Sequence, residues 1–307
     1  MTQIGLMLEG QNGLNWEHWA RILTTAENTG YQCVFRSDHF TNPNPPDQDS
    51  LELWTSLTFA ATHTERIEFG PLVTPITFRH PSMTARYAAA VTDLSNGRLV
   101  LGMGAGWQER EHHNFGIPFY DFSTRFAMLQ DGVEVVTSLL YNDEPTTYEG
   151  EHFTLHDAIL LPRPAQRTPF LIGGNGPKKT LPLAAKYADE WNAVFLPLAT
   201  FRERNAMLSD YLEEAGRDPA SVKRSMMTQV VYGQDDAELQ RKLDEKGKSA
   251  AELRAQGLIV GTGNAVIEQI SALADVGLER IMLQWLALDD IAGIEHLAAD
   301  ILPHFHE

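Results

Sequence analysis

The stretch LSNGRLVLGMGAGW, residues 94–107, contains one complete joint of the fold. It opens on the tail of an apolar-periodic run and turns at Gly97, a residue type suited to the positive φ of a helix C′ position. Leu99–Met103 follows, too short for a helix and the right length for a buried strand. The strand then dissolves into Gly102, Gly104 and Gly106 before Trp107. The same joint recurs. Gly30, Gly216 and Gly277 each close an amphipathic run, and Gly30-Tyr31-Gln32 and Gly277-Leu278-Glu279 lead directly into another apolar stretch.

Working outward, apolar strand-length runs fall at Ile4–Leu8, Cys33–Arg36, Ile67–Val73, Leu99–Met103, Pro169–Ile172, Trp191–Leu196, Met226–Tyr232 and Arg280–Trp285. Between them lie segments of helical period: Trp16–Thr29, Leu51–His63, Ser82–Leu94, Arg125–Leu140, Thr180–Tyr187, Phe201–Ala215, Ala265–Ala274 and Ile291–Leu302. Alternating β and α segments imply parallel pairing through right-handed crossovers. Eight such units without a doubling-back predict a closed (β/α)8 TIM barrel, read as a single domain over residues 1–307. An open doubly wound sheet is the structural alternative. Insertions are expected after the fourth strand (Trp107–Ser123) and the seventh (Gln234–Gly263). A further gap, Asn142–Thr168, contains TTYEGEHFTL, which reads as a strand pair turning at Glu149-Gly150. Long connections in a compact domain serve as lids or substrate walls.

Composition narrows the function. The 307 residues carry a formal net charge of −17, a surface that repels nucleic acid and anionic membranes. A bound anion therefore needs a local site of backbone N–H groups and a few placed cations. The one cysteine, Cys33, sits beside Val34 and Phe35 and reads as a small buried apolar residue. With no basic leader at the N-terminus and no apolar run near the roughly 18–20 residues of a membrane span, the expected location is the cytoplasm.

In such barrels the chemistry sits where strands end. After the second strand come Asp38 and His39, and His39 titrates near neutrality, so it can donate or accept a proton. Successive residues face opposite ways, so one of the pair is expected at the barrel mouth and the other packed outward or anchoring the loop. Gly104, Ala105 and Gly106 let a flat ligand approach the backbone, and Trp107 can stack on a ring system or plug the mouth. His112-His113 with Glu109 and Glu111 has no zincin spacing, and a solvated or lid-packing role is expected there rather than a metal. His304 and His306 read as an exposed tail. No G-x-S-x-G elbow occurs.

LIGGNGPKKT, residues 171–180, fails two phosphate-loop templates: Lys178 stands where a Walker A loop needs Gly, and Lys179 where a dinucleotide fingerprint needs its third. Gly173, Gly174, Asn175 and Gly176 nevertheless bare backbone N–H groups before a helix whose first turn is read to contain Pro177, with Lys178 and Lys179 adding charge. That suffices for one phosphate.

Together SDHF (37–40), GPLVTPITFRHP (70–81), LSNGRLVLGMGAGWQEREHHNFGIPF (94–119), RF (125–126), YEGEHFTL (148–155) and PFLIGGNGPKKTLPLAAKYADEWN (169–192) resemble the bacterial-luciferase-like family of flavin- and deazaflavin-dependent oxidoreductases. Asp-His-Phe at the end of the second strand is similar to the branch that uses coenzyme F420. The resemblance implies F420-dependent hydride transfer to or from a small organic substrate. It leaves a reduced-FMN monooxygenase fed by a separate reductase as the alternative, and a non-catalytic flavin-binding barrel as a third reading. It further implies a non-prolyl cis peptide at Leu72-Val73 or Val73-Thr74 beside the ring, Asp38 next to the ring, His39 as proton donor or acceptor, and a homodimer. Sugar-phosphate dehydrogenases of that branch carry Glu where Trp107 stands, which argues against a sugar-phosphate substrate.

Overall fold

The computed structural model describes residues 1–305. Its strands, in chain order, are β1 (Gln3–Leu8), β2 (Cys33–Arg36), β3 (Glu68–Pro71), β4 (Thr74–Pro75), β5 (Leu101–Gly104), β6 (Thr146–Glu149), β7 (Thr154–Ala158), β8 (Phe170–Gly173), β9 (Glu190–Val194), β10 (Lys223–Tyr232), β11 (Ile259–Gly261) and β12 (Arg280–Trp285). Its helices are α1 (Trp16–Thr29), α2 (Leu53–His63), α3 (Pro81–Leu94), α4 (Glu109–Asn114), α5 (Phe122–Tyr141), α6 (Thr180–Tyr187), α7 (Leu198–Glu214), α8 (Asp236–Lys246), α9 (Ala250–Ala255), α10 (Gly263–Ala274) and α11 (Ile291–Phe305). None of the described helices is long and apolar enough to cross a membrane.

Parallel pairing runs β3-β2-β1-β12-β10-β9-β8-β5-β4. The remaining seam is closed by Phe69, whose N–H donates to Arg98 O (3.1 Å) and whose carbonyl accepts from Val100 N (2.9 Å). The fold is thus the expected closed barrel. Gly30, Gly97, Gly216 and Gly277 all take positive φ, as their C′ positions require. The third expected strand is interrupted: β3 and β4 flank a cis Leu72–Val73 bond.

The strands' period of two sorts side chains onto two surfaces. Outward residues such as Ile4, Leu6, Val34, Leu101 and Ile281 pack on the helices in the main core. Inward residues form a separate, smaller cluster of Met7, Cys33, Phe35, Leu72, Val100, Leu171 and Met282. Cys33 is fully buried, as expected, and burial pushes its thiol up to about 12. Below this cluster the barrel base is charged. Arg280 donates to Gln3 (2.8 Å), to Glu190 (3.0 Å) and to Glu68, joining the first residues of four strands.

Two insertions differ from the loops expected. Trp107–Ser123 contains α4, and Gln234–Gly263 holds α8, α9 and a strand, β11, that pairs with the overhanging end of β10. Their starts are capped: Asp235 accepts from Glu238 N, and Ser249 with Glu252 forms a reciprocal capping box. The hairpin β6–β7 forms where expected, closed by Gly150 N donating to Phe153 O (3.0 Å).

At the mouth the glycines answer to Val73. A Cβ at Gly104 would lie 2.5 Å from Val73 Cγ2, and one at Gly173 would lie 3.1 Å from Val73 Cγ1. Gly104→Ala is therefore expected to cost about 1–3 kcal/mol by overpacking. With Val73→Ala in the same chain the nearest remaining atom is Val73 Cβ, at 3.7 Å. Denaturant melts of the four-member mutant cycle should show most of the loss recovered in the double variant; additive losses would refute the contact.

Candidate active site

A cavity of about 280 Å³ opens at the C-terminal ends of the strands. Of the residues expected at the site, His39, Leu72, Val73, Gly104, Ala105, Gly106, Trp107, Gly173 and Gly174 line it. Pro75, Glu111, Asn192, Val194 and Met227 line it too. Asn192 is the more informative of the floor residues. Its Nδ2 donates to Ser225 Oγ (2.9 Å), while its Oδ1 is buried without a partner.

The centre of the site is an imidazole–carboxylate pair. His39 Nδ1 lies 2.8 Å from Glu111 Oε1, and Glu111 Oε2 accepts the Phe40 N–H at 2.9 Å. The loop after β2 and the start of α4 are zipped together on both sides of this pair. Ser50 Oγ donates to His39 O (2.6 Å), Gln108 Nε2 to Thr41 O (2.8 Å), and Arg110 Nη1 to both Asn42 O and Asp47 Oδ1 (2.7 Å each). Burial alone would lower the His39 pKa, but the hydrogen bond and charge of Glu111, aided by Glu9 and Asp38, raise it above its ordinary value. Glu111, which burial would push up, is held below the usual carboxylate range by His39 and the Phe40 amide. An ionised Glu111 requires the proton on Nδ1, which leaves Nε2 as the nitrogen not committed to the pair. Trp107, 61% exposed, meets the His39 ring edge-on, with centroids 5.4 Å apart.

Asp38 and Thr74 stand behind this wall instead of lining it. Asp38 Oδ2 accepts from Thr74 Oγ1 at 2.8 Å and from Arg79 Nη1 at 2.5 Å, and Arg79 Nη2 also donates to Glu52 Oε1 at 3.0 Å. Of the two neighbours, His39 faces the mouth and Asp38 anchors.

The loop after β8 keeps its backbone donors available. Gly174 N donates to Asn192 O (2.9 Å), but the amides of Asn175, Gly176, Lys178 and Lys179 make no hydrogen bond within the described chain. The Asn175 side chain is structural: it donates to Val194 O (2.7 Å) and accepts from Val194 N (2.9 Å), clamping the loop onto β9. Pro177 corrects the expectation. It occupies a turn, Pro177–Lys179, and α6 begins only at Thr180, because Thr180 N and Leu181 N both bond Gly176 O. Lys178 and Lys179 are exposed and face an adjoining cleft with Lys186, Lys179 Nζ lying 5.4 and 5.2 Å from the Phe122 and Phe126 ring centroids.

His112 is fully buried, bonded to Thr77 Oγ1 and Gln108 O at 2.7 Å each, and packs the lid as expected. Glu111, Asn192 and Met227 are the lining residues the sequence did not assign to the site; Glu111 is bonded by His39 across 72 positions, beyond any local motif. His304 is exposed within α11, and His306 lies outside the described residues.

A closed parallel barrel with a histidine–carboxylate pair and a loop of unbonded backbone amides at its mouth defines an enzyme of the α/β-barrel class. The family model for luciferase-like monooxygenases matches residues 1–280, and the chain belongs to that family. Among curated relatives, the F420-dependent glucose-6-phosphate dehydrogenase of Intrasporangium calvum is 26% identical, covering 91% of each chain. Among solved structures, an F420-dependent secondary alcohol dehydrogenase in complex with an F420-acetone adduct superposes with a TM-score of 0.88. It is 20% identical and covers 100% of this chain and 99% of its own. The monooxygenase RslO1 of Streptomyces bottropensis superposes at 0.80, with 21% identity and 99% and 100% coverage.

The raised His39 and lowered Glu111 values fix a sign. The imidazolium adds stability that is whole below about pH 6.5 and is lost as pH rises through the folded value. The carboxylate adds stability that is whole above about pH 4.3 and is lost as pH falls through its own folded value. In Glu111→Gln the imidazolium loses its anion, so the His39 ring signals should titrate at lower pH by NMR than in the wild type. An unmoved titration would sink the pairing.

Proposed function

We propose that the protein is an oxidoreductase that uses coenzyme F420 to move a hydride to or from a small organic substrate, with His39 handling the accompanying proton. One observation carries this reading: the His39–Glu111 pair at the cavity wall. Moving a hydride onto a carbonyl carbon, or off an alcohol carbon, requires one proton at the substrate oxygen. A histidine with a fixed tautomer and a free Nε2 supplies that proton near neutral pH.

The residues fit a phosphorylated tricyclic cofactor. Leu72 and Val73 offer an apolar floor, Gly104, Ala105 and Gly106 keep one wall to nothing larger than a methyl group, and Asn192 Oδ1 is a buried acceptor lacking a donor. Gly173 and Gly174 continue from the cavity into the loop whose free amides suit a single phosphate. When bound, F420 supplies the carbon that gives or takes the hydride. The chain orients the ring, excludes water, and holds the proton at His39 Nε2. Asp38, Thr74 and Arg79 hold the flanking loops in place, Lys178 and Lys179 favour the anionic tail, and Trp107 walls the substrate. The curated relative named above is F420-dependent, which supports the same cofactor. A reduced-FMN monooxygenase is the second reading on this shared architecture.

We also place the enzyme in the cytoplasm as a homodimer, with a separate oxidoreductase recycling the cofactor. Support for the dimer is the exposure of large apolar side chains on α1 and α3, Trp16, Met83 and Tyr87 being 45%, 41% and 38% exposed.

Titration with oxidised F420 and with FMN, followed by fluorescence, tests the cofactor: F420 should bind and FMN should not compete, and tight FMN binding without an F420 response refutes the reading. His39→Ala should lower kcat by about 10²–10⁴-fold, the range of a lost general acid–base group. The F420 dissociation constant should stay close to wild type.

A further inference from the structure

We infer that Asn192 reads the redox state of the bound cofactor: its side-chain oxygen accepts an N–H that the deazaflavin ring carries only when reduced, so the pocket holds the reduced form more tightly. This rests on the F420 reading above. A hydrogen-bond count carries the inference. Asn192 is 1% exposed and lines the cavity. Its Nδ2 has two hydrogens, and both are spent, one on Ser225 Oγ at 2.9 Å and one on Met282 Sδ at 3.5 Å. Ser225 is itself fully buried, and its hydroxyl donates to Trp191 O at 3.2 Å. Toward Asn192 that hydroxyl can only accept, which fixes the amide with its nitrogen to Ser225 and its oxygen turned away. Oδ1 is left buried with no donor.

A buried acceptor without a partner is costly, and a donor on a bound ligand relieves that cost. Asn192 pairs across the β8–β9 ladder with Gly173, where an added Cβ would meet only Val73 Cγ1, at 3.1 Å. A ligand in the cavity thus approaches Asn192 past a strand position with no side chain in the way. The backbone carbonyl of Asn192 accepts from Gly174 N at 2.9 Å, which ties the residue to the start of the loop of free amides. The oxygen therefore belongs to the end of the cavity toward which the phosphate tail runs. The other side-chain oxygens lining the cavity are those of Glu111, and they are committed to His39 and the Phe40 amide.

The covalent structure of the ring selects the donor. The tail leaves a deazaflavin at N10, and the ring nitrogen nearest that point is N1. In the oxidised ring N1 has a lone pair and no hydrogen. Two-electron reduction adds a hydride at C5 and a proton at N1, which turns N1 into a donor. An amide oxygen beside N1 therefore meets a lone pair in one state and a hydrogen in the other. A water molecule would turn to suit either state, whereas Asn192 cannot turn while Ser225 and Met282 hold its nitrogen. The imide N3–H, the other donor on that ring edge, is present in both states, so state-independent binding is its mark.

The test measures the midpoint potential of protein-bound F420 against reference dyes, and the dissociation constant of oxidised F420 by fluorescence. Together with the potential of free F420 they give the constant for the reduced form. In Asn192→Leu the reduced form should bind about tenfold more weakly, the order of one lost buried hydrogen bond, and the oxidised form no more weakly than in the wild type. The bound potential should then fall by about 30 mV, which is that tenfold ratio for a two-electron couple. Ser225→Ala frees the amide to turn while leaving its oxygen in place. It should lower the potential by a smaller amount, and it decides the matter if Asn192→Leu does not fold. An equal loss of both forms assigns the oxygen to the imide N–H and overturns the inference, while leaving the cofactor reading intact. Unchanged constants for both forms assign it to a buried water and overturn the inference in the same way. A wild-type protein that binds F420 in neither state overturns the cofactor reading itself.

Discussion

Val73 occupies the point on which the mouth of the barrel is built. It sits at the interruption between β3 and β4, and its two methyl groups point at strands β5 and β8. An alanine Cβ at Gly104 or Gly173 would crowd them, and one at Gly102 would meet both Val73 Cγ1 and the Pro71 carbonyl. In the glycine string that looked like a ligand-approach device, Gly104 is therefore first a packing requirement of Val73, while Gly102 also answers to the Pro71 carbonyl and Gly106 to Pro75 and Thr77. Both uses coincide, because the same missing Cβ atoms leave a smooth wall on the cavity side.

The insertion after β5 gives this space its chemistry. Alone, His39 is a buried imidazole whose surroundings favour the neutral form; Glu111 on α4 reverses that preference and fixes which nitrogen faces the ligand. The Phe40 amide, Gln108 and Arg110 hold α4 to the loop after β2, so the carboxylate cannot leave without breaking several bonds. Asp38 secures the opposite side through Thr74 and Arg79. Of two adjacent residues, His39 thus faces the cavity while Asp38 fixes the loop that positions it.

Much of this was legible beforehand. Helices α1 and α6 and strand β2 fall on the expected residues, because Asn15 and the terminal glycine bound α1 and β2 is a short apolar run between turns. His39, Trp107 and the glycines were found because strand ends in a barrel are where side chains meet ligands. Glu111, Asn192 and Met227 were not, since each reaches the cavity through pairing register or a loop contact across dozens of residues. Strand β11 was hidden for a different reason: three apolar residues after a charged stretch carry too little period to separate strand from loop. Pro177 misled because the preference for proline in a first helical turn does not show how far the turn ahead of the helix extends.

The charged base of the barrel bears on how the chain reaches this state. Arg280 belongs to the last strand, and its guanidinium ties Gln3, Glu68 and Glu190, residues synthesised as much as 277 positions earlier. Strand β1 likewise has β12 as one of its two neighbours along its whole length. Until the C-terminal strand has emerged, the first strand keeps a bare edge, and Glu68 and Glu190 lack their shared cation. Cotranslational folding can build βα units in order but cannot close the ring, so the contacts of greatest sequence separation form last. A chain truncated before residue 280 lacks β12, and the edges of β1 and β10 that β12 covers have no partner there, the kind of edge that invites aggregation.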